Sequence, residues 1–387
     1  MSKHLLTYDY IITGFGCAGM SLVYHLLNSQ LRDKKILIID ISDKKTNDRT
    51  WCYWAETPLD IHPKNSPLTF WKNIVISQGE KKLKKDLGKL NYYHIRSSDF
   101  YREILAKIKN FTNIHFIQDS VQTIESSPNN SVTVSTKNHG SFYAEMVFNS
   151  VPDSSTNLRH HKILKQVFLG WKVKTKKACF EVDTAIMMDF DQKKTSKTAF
   201  FYVLPFKENE ALIEYTEFTT DQMDRSFMES KINHFIRNQL GQDRYEITFR
   251  EEGSIPMTTY SLTEAPAFNI IPIGTLAGCS KPSTGFTFHN IQKHCQLIVN
   301  SLATAEGKAL IWKRKWQYNF YDNILLNIAK KWPKKLPEVF INLFESNTGP
   351  DILRFLNEES SFLDDIKLLS RLQFSIFIKS LLHYEKH

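Results

Sequence analysis

Residues 8–29 read YDYIITGFGCAGMSLVYHLLNS, an apolar strand, a glycine turn and a helix in that order. Gly14, Gly16 and Gly19 form a GxGxxG pattern inside that turn. The three glycines differ in role. Gly14 permits the tight turn, Gly16 lets backbone approach a pyrophosphate, and Gly19 lets the helix pack on the strand. The unpaired N–H groups at the start of the helix favour phosphate. A second apolar strand, KKILIID, follows and ends in Asp40, 21 residues beyond Gly19, where an acid can bind a ribose hydroxyl. Strand, glycines, helix, strand and acid in this order describe a βαβ unit built for a dinucleotide. The competing possibility is a tight βα turn with no ligand.

Beyond this unit the pattern changes. Between about Lys165 and Glu217 lie FLGWKVKT, TAIMMDF, AFFYVLPF and ALIEYTEF, four short segments rich in β-branched and aromatic residues. They predict an antiparallel sheet. A helix is expected over 223–240 and a strand over 245–252. Residues 269–302 read again as strand, Gly/Pro loop and helix, and the remainder is mostly helical, with amphipathic spacing over 364–382. The expected architecture is mixed α/β. A Rossmann-type nucleotide domain (1–155 plus 250–305) carries an inserted β-rich substrate domain (156–249) and a helical C-terminal region (306–387).

The 387 residues, 42% of them apolar, suffice for a large core, and the 27 phenylalanines suit an apolar cavity as well as a Phe-rich interior. The net charge is +9. Basic clusters occur as KKLKK (81–85), KVKTKK (172–177) and KKWPKK (330–335). No zinc-finger spacing or RNA-binding signature accompanies them, so nucleic acid is not an expected partner. KKWPKK, with Trp332 among lysines, resembles an interfacial membrane anchor, and solvated lysine runs are the plainer alternative. Five cysteines without a CxxC pair indicate neither a disulfide framework nor a zinc site, and no metal is expected. No apolar run is long enough to span a bilayer. These features predict a cytoplasmic protein that attaches peripherally to the membrane.

The second glycine loop, IPIGTLAGCSKPSTGFTF, carries Gly274, Pro282 and Gly285. It resembles the segment that flavoproteins of the hydroxylase and geranylgeranyl-reductase class lay beside the flavin. The resemblance implies FAD and makes these three residues cofactor contacts. Thr275 stands where that class usually has an acid. IRSSDFYREIL resembles the Arg-containing helix start of the same class, which makes Arg96 a candidate phosphate or flavin contact, or else a surface arginine before a helix.

More specific motifs narrow the likeness. DYIITGFGCAGMSL, NDRTWCYW, FNSVP, FLGWKV, AIMMDF, FYVLPF with ALIEYTEFT, IGTLAGCSKPSTGFTF and FLNEESSFLDDIKLL are collinear along nearly the whole chain. Together they resemble the bacterial lycopene cyclases, which make β-rings on carotenoids. The resemblance implies lycopene and related linear carotenoids as substrates, bound FAD active in its reduced form with NADPH as reductant, and no net redox change. It assigns the required glutamate of the family's (F/L)(L/I)E-x-T segment to Glu214. Many relatives have a second acid at the next position, where this chain has Tyr215. Alternation along a strand puts Glu217 on the face opposite Glu214.

Cyclising a polyene end requires a proton on the terminal double bond, capture of the cation by its neighbour and loss of a proton. A Glu in an apolar wall suits the first of these steps, because desolvation raises its proton affinity. Either Glu214 or the flavin could deliver the proton. Periodicity alone favours Glu214 as an exposed residue on the polar face of an edge strand, and it is the family motif that turns the reading towards function. Arg49, Trp51, Trp54 and Tyr215 are candidate pocket residues, since aromatic faces stabilise cations, although the tryptophans could instead be structural. His289 and His294 read as packing or surface residues. A redox flavoenzyme, either polyprenyl reductase or hydroxylase, and a carotenoid carrier are the alternatives that share the glycine loops.

Overall fold

The computed structural model describes residues 7–127, 131–152, 163–190, 197–263, 267–304, 313–372 and 374–387. The domain limits expected at 155 and 305 lie outside these residues.

The first sheet has the order β8-β2-β1-β11-β10-β9, with β17 also pairing β11. Its strands are β1 (Thr7–Thr13), β2 (Ile36–Asp40), β8 (Ile114–Gln118), β9 (Val121–Ser126), β10 (Val132–Thr136), β11 (Gly140–Asn149) and β17 (Ile270–Pro272). The neighbours β8, β2, β1, β11 and β17 run parallel, as the βαβ pattern demands. Helices α1 (Cys17–Leu27), α2 (Ser97–Ile108) and α4 (Phe288–Leu302) pack on one face around Ile12, Ile36, Ile38 and Phe148. Ile11, Leu37 and Ile39 point the other way into a second cluster with Val132 and Val134. With both faces covered, β2 is apolar until it reaches Asp40.

The second sheet has the order β16-β12-β15-β14-β13-β5-β6. It comprises β5 (Asn73–Gln78), β6 (Lys81–Asp86), β12 (Leu164–Thr175), β13 (Thr184–Phe190), β14 (Thr198–Lys207), β15 (Glu210–Thr219) and β16 (Tyr245–Met257). The four expected strands are all present. The sheet also recruits residues 73–86 from the N-terminal third, and β16 runs on through residue 250 to Met257. β6 is an edge strand with exposed lysines, which discourages pairing with another chain. A third, small sheet joins β3 (Thr50–Ala55), β7 (Asn91–Arg96) and β4 (Thr69–Trp71).

Alternation on the second sheet decides what lies where. Ile213 and Tyr215 face Met228 and Ile232 of α3 (Arg225–His234). The expected helix over 223–240 is this α-helix continued by a π turn at Phe235–Gln239. Leu212 and Phe218 face the opposite way, into a core shared with α5 (Trp316–Lys331), α6 (Leu336–Ser346), α7 (Gly349–Leu356) and α8 (Phe362–Leu369). α9 (Phe374–Leu382) follows after a break, so the amphipathic stretch expected as one helix over 364–382 is two.

Candidate functional site

The glycine turn lies at the carboxyl ends of β1 and β2. Gly14 has φ +84°, and a Cβ there would overlap the Ser150 hydroxyl. A Cβ on Gly19 would overlap the Gly14 carbonyl oxygen, so the helix packs on its own turn only without a side chain. Gly16 differs: nothing lies within 4 Å of where its Cβ would be. Gly16 is the N-cap of α1 and no side chain caps it, so the first-turn N–H groups remain available to an anion. Asp40 accepts hydrogen bonds from Phe15 N–H (2.5 Å) and Ser42 N–H (2.8 Å) and pairs with Lys44 (2.9 Å). It thereby fixes the turn from the end of β2.

A cavity of about 650 Å³ starts at Gly14, Gly16, Cys17 and Asp40 and continues past Trp51 to Glu214. Gly274, Thr275 and Gly285 line it as well, so the two glycine loops border one cavity. Gly274 (φ +64°) and Gly285 (φ +76°) both need the left-handed region. The far end is walled by Phe168, Met187, Met188, Phe200 and Phe286.

Glu214 lies on β15 between β12 and β14, which rules out the edge-strand alternative. Its Oε1 accepts the Thr216 hydroxyl at 2.8 Å. The half-buried surface it retains is at the cavity wall. Burial, and then the charge of Glu251, push its carboxyl well above the ordinary range. Glu217 lies on the other face, with its Oε1 3.4 Å from the Tyr215 hydroxyl.

Glu251 is a residue that sequence reasoning missed. Gly170 on β12 is registered with Glu214 on one side and Glu251 on the other. A Cβ on Gly170 would sit 3.3 Å from Glu251 Cγ and 3.6 Å from Glu214 Cβ. The absent side chain therefore leaves open the space between the two glutamate side chains. Glu251 is 6% exposed, and burial raises its proton affinity too, partly countered by the Thr50 N–H that its Oε2 accepts at 2.9 Å. Nothing local marks it, because the contact depends on strand order. Tyr202, opposite Glu214 on β14, was likewise missed; its hydroxyl lies 2.7 Å from that of Tyr92 in the same wall.

The structure sorts the remaining candidates. Arg49 and Trp51 line the cavity, and Trp51 stands edge-on to Phe100 and Tyr101. Trp54 does not line it: the side chain is 2% exposed, its indole donates to the Leu353 carbonyl, and it packs behind Phe286. Tyr215 also points away, because alternation sends it into the α3 core against Phe201. Arg96 is exposed, pairs with Asp99 at 3.8 Å and borders a second cavity with His94 and Lys172 rather than the glycine turn. Pro282 is buried inside the second glycine loop and shapes it without lining the cavity. His289 pairs with Glu359 (2.8 Å), and His294, held neutral by burial, sits against Cys279.

Comparison with known proteins gives three findings. No curated protein sequence matches the chain. Among solved structures, a geranylgeranyl bacteriochlorophyll reductase-like protein from Thermoplasma acidophilum superposes with a TM-score of 0.64 at 12% identity, covering 97% of this chain and 99% of that one. A flavoprotein/dehydrogenase from Cytophaga hutchinsonii gives 0.63 at 11% identity, over 98% and 100%. The halogenase PltM, in complex with phloroglucinol and FAD, gives 0.57 at 12% identity, over 97% and 86%. At such identities these likenesses speak for the fold. The sequence itself matches the family model described as "Lycopene cyclase protein" over residues 9–382, from β1 to the last turn of α9. With that match spanning the glycine turn, both halves of the cavity and the strand of Glu214, the chain is a member of the lycopene cyclase family.

Proposed function

We propose that this chain is a lycopene β-cyclase, an FAD-binding enzyme that isomerises the linear ends of lycopene or a related acyclic carotenoid to β-rings without net oxidation. The observation that carries this reading is the place of Glu214: a carboxyl of raised proton affinity, in an apolar wall, in the same cavity as the glycine turn.

The cradle fits a dinucleotide, because Gly16 leaves open space in front of the uncapped α1 N-terminus. Gly14, Gly16, Cys17 and Ala18 would hold the pyrophosphate, Asp40 the ribose, and the loop from Gly274 to Gly285 would flank the flavin. Bound FAD, reduced at the expense of NADPH, would supply negative charge beside a developing cation.

The protein residues supply the rest. Glu214 holds a proton at neutral pH and gives it to the terminal double bond of the polyene. Thr216 orients the carboxyl by donating to Oε1. Phe168, Met187 and Phe200 exclude water, which would otherwise capture the carbocation. Trp51 offers an aromatic face to the charge.

The test is expression in cells that accumulate lycopene, with pigments separated by chromatography and weighed by mass detection. Products of lycopene's mass with the shorter-wavelength spectrum of β-ringed carotenoids are expected, and their ratio reports one ring or two. Products two or more mass units away would instead indicate a polyprenyl reductase or hydroxylase. Unchanged lycopene beside FAD-loaded protein would leave a different substrate or a carrier.

A further inference from the structure

Glu251 has no part in the reaction described above, yet it sits in the same cavity as Glu214. The two residues come from β16 and β15 and flank Gly170 of β12 on the same sheet face. Two strand spacings separate their backbones, about 9.5 Å. Both side chains border the gap at Gly170: Glu251 Cγ and Glu214 Cβ lie within 4 Å of the one position its Cβ would take. We propose that Glu251 is the base that completes ring closure, paired with Glu214 as the acid, an assignment that rests on the cyclase reading.

The two carboxyls are not equivalent. Glu251 Oε2 receives the Thr50 N–H, and the Arg49 guanidinium lies near enough to favour its ionised form. Its Oε1 is buried without a partner, which leaves one basic oxygen uncommitted. Glu214 has the Thr216 hydroxyl and the repulsion of Glu251. Two neighbouring carboxyls that are both raised by burial do not both ionise readily, so the pair shares one proton, and we place it on Glu214, the member without the Thr50 N–H and the nearby Arg49.

The proton count then closes. The Glu214 carboxyl gives its proton to the inner carbon of the terminal double bond, which leaves a tertiary cation on the dimethyl-substituted carbon as the acceptor of the new ring bond. The π pair of the neighbouring double bond forms the new ring bond and leaves a cation on a ring carbon. Glu251 removes the proton from the adjacent ring carbon, and those C–H electrons become the ring double bond. Glu251 is now protonated and Glu214 ionised, and transfer of that proton across the Gly170 gap restores both. No oxidant or reductant is consumed.

The test compares wild type, Glu251→Gln and Glu251→Asp as full-length, FAD-loaded chains acting on lycopene in one lipid dispersion under reducing conditions. Glu251→Gln is expected to keep its flavin and lose turnover by about a hundredfold or more. Glu251→Asp draws the base back by one methylene. It is expected to turn over slowly and to release some products of lycopene's mass whose ring double bond is displaced, because a proton has left the wrong carbon. A purely structural glutamate would lower Tm and flavin content without changing the ring isomers. Near-wild-type turnover by Glu251→Gln overturns the assignment. If Glu251→Gln does not fold, an unchanged isomer ratio in Glu251→Asp overturns it equally. Wild type that carries FAD but leaves lycopene untouched brings down the cyclase reading and this assignment together, whereas failure confined to the variants' predicted behaviour brings down the assignment alone.

Discussion

Between β12 and β14, on a sheet with apolar clusters on both faces, a carboxyl group meets few dipoles able to replace water. Glu214 has the Thr216 hydroxyl and, across Gly170, another acid. Burial and that neighbour raise its folded-state proton affinity, so the folded chain retains a proton that the unfolded chain releases above about pH 4.3. From there up to the raised value, stability falls as pH rises, because the native state binds more protons than the unfolded one. Glu214→Gln removes this penalty. The variant is predicted to fold, bind FAD and lose cyclisation by about a hundredfold or more. Its Tm should exceed that of wild type, by more at pH 8 than at pH 5. Thermal melts at the two pH values and a product assay check this, and a variant that cyclises normally would remove Glu214 from the mechanism. Glu214 could be singled out because a motif surrounds it, and alternation placed Glu217 on the other face. The same alternation excludes Tyr215 from the cavity. Glu251 was illegible, since nothing in FREEGSIP shows that β16 and β15 flank the same strand, β12.

The glycine turn shows how one motif divides its roles among elements. Gly19 belongs to the helix–turn contact: its Cβ would overlap the Gly14 carbonyl and come within 3.2 Å of Ile12 Cγ2. Gly19→Ala must shift α1 on β1 and should cost about 1–3 kcal/mol, as overpacking does, with or without cofactor. Gly16 faces open space in the cavity. Gly16→Val should leave the Tm of the FAD-free chain nearly unchanged while abolishing flavin retention. Melting curves and flavin absorbance of the two variants separate these roles, and equal loss of both properties in each would show that the turn acts only as a packing unit. This element could be read from sequence because its geometry is local. The second sheet could be read only in part. Its four central strands follow from their composition, but β5 and β6 join from residues 73–86 by a long-range pairing with β13. The break between α8 and α9 has no glycine or proline to announce it. Packing imposes it: Leu368 and Leu372 enter the core, while Ser380 is held by the Ile324 carbonyl and binds α9 to α5.

At the scale of the molecule, the C-terminal helices connect the sheet to a surface of unusual character. Lys281 of the second glycine loop is buried and pairs with Asp322 (3.3 Å) and Glu358 (3.0 Å), with Arg314 on the same two acids. Through this cluster the cavity wall and the helical region are fastened together. On the outside, α8 exposes Phe362, Leu363 and Ile366, and α9 exposes Phe374, Ile378, Leu381 and Leu382. Exposed basic residues accompany them: Lys334, Lys335, Lys367, Arg371 and Lys379. The KKWPKK run and α9 meet here, for the Lys379 ammonium lies 4.8 Å from the centre of the Trp332 ring. Trp332 is half-buried under it, so the exposed apolar side chains on this surface are those of α8 and α9. Among the described residues no helix is long and apolar enough to cross a membrane. Apolar side chains ringed by cations suit insertion into the surface of an anionic bilayer, which is also where a long apolar polyene would be met. We predict that the FAD-loaded chain floats with anionic vesicles and that added salt weakens the association by screening the lysines. Leu363→Asp with Leu382→Asp should reduce flotation by about tenfold or more, since each leucine contributes about 1.5–3 kcal/mol on burial, and should leave the flavin in place. A chain that stays at the bottom of the gradient with anionic lipid would sink the prediction. If it did so as a stable dimer that the double variant splits, the apolar faces would belong to a second copy instead.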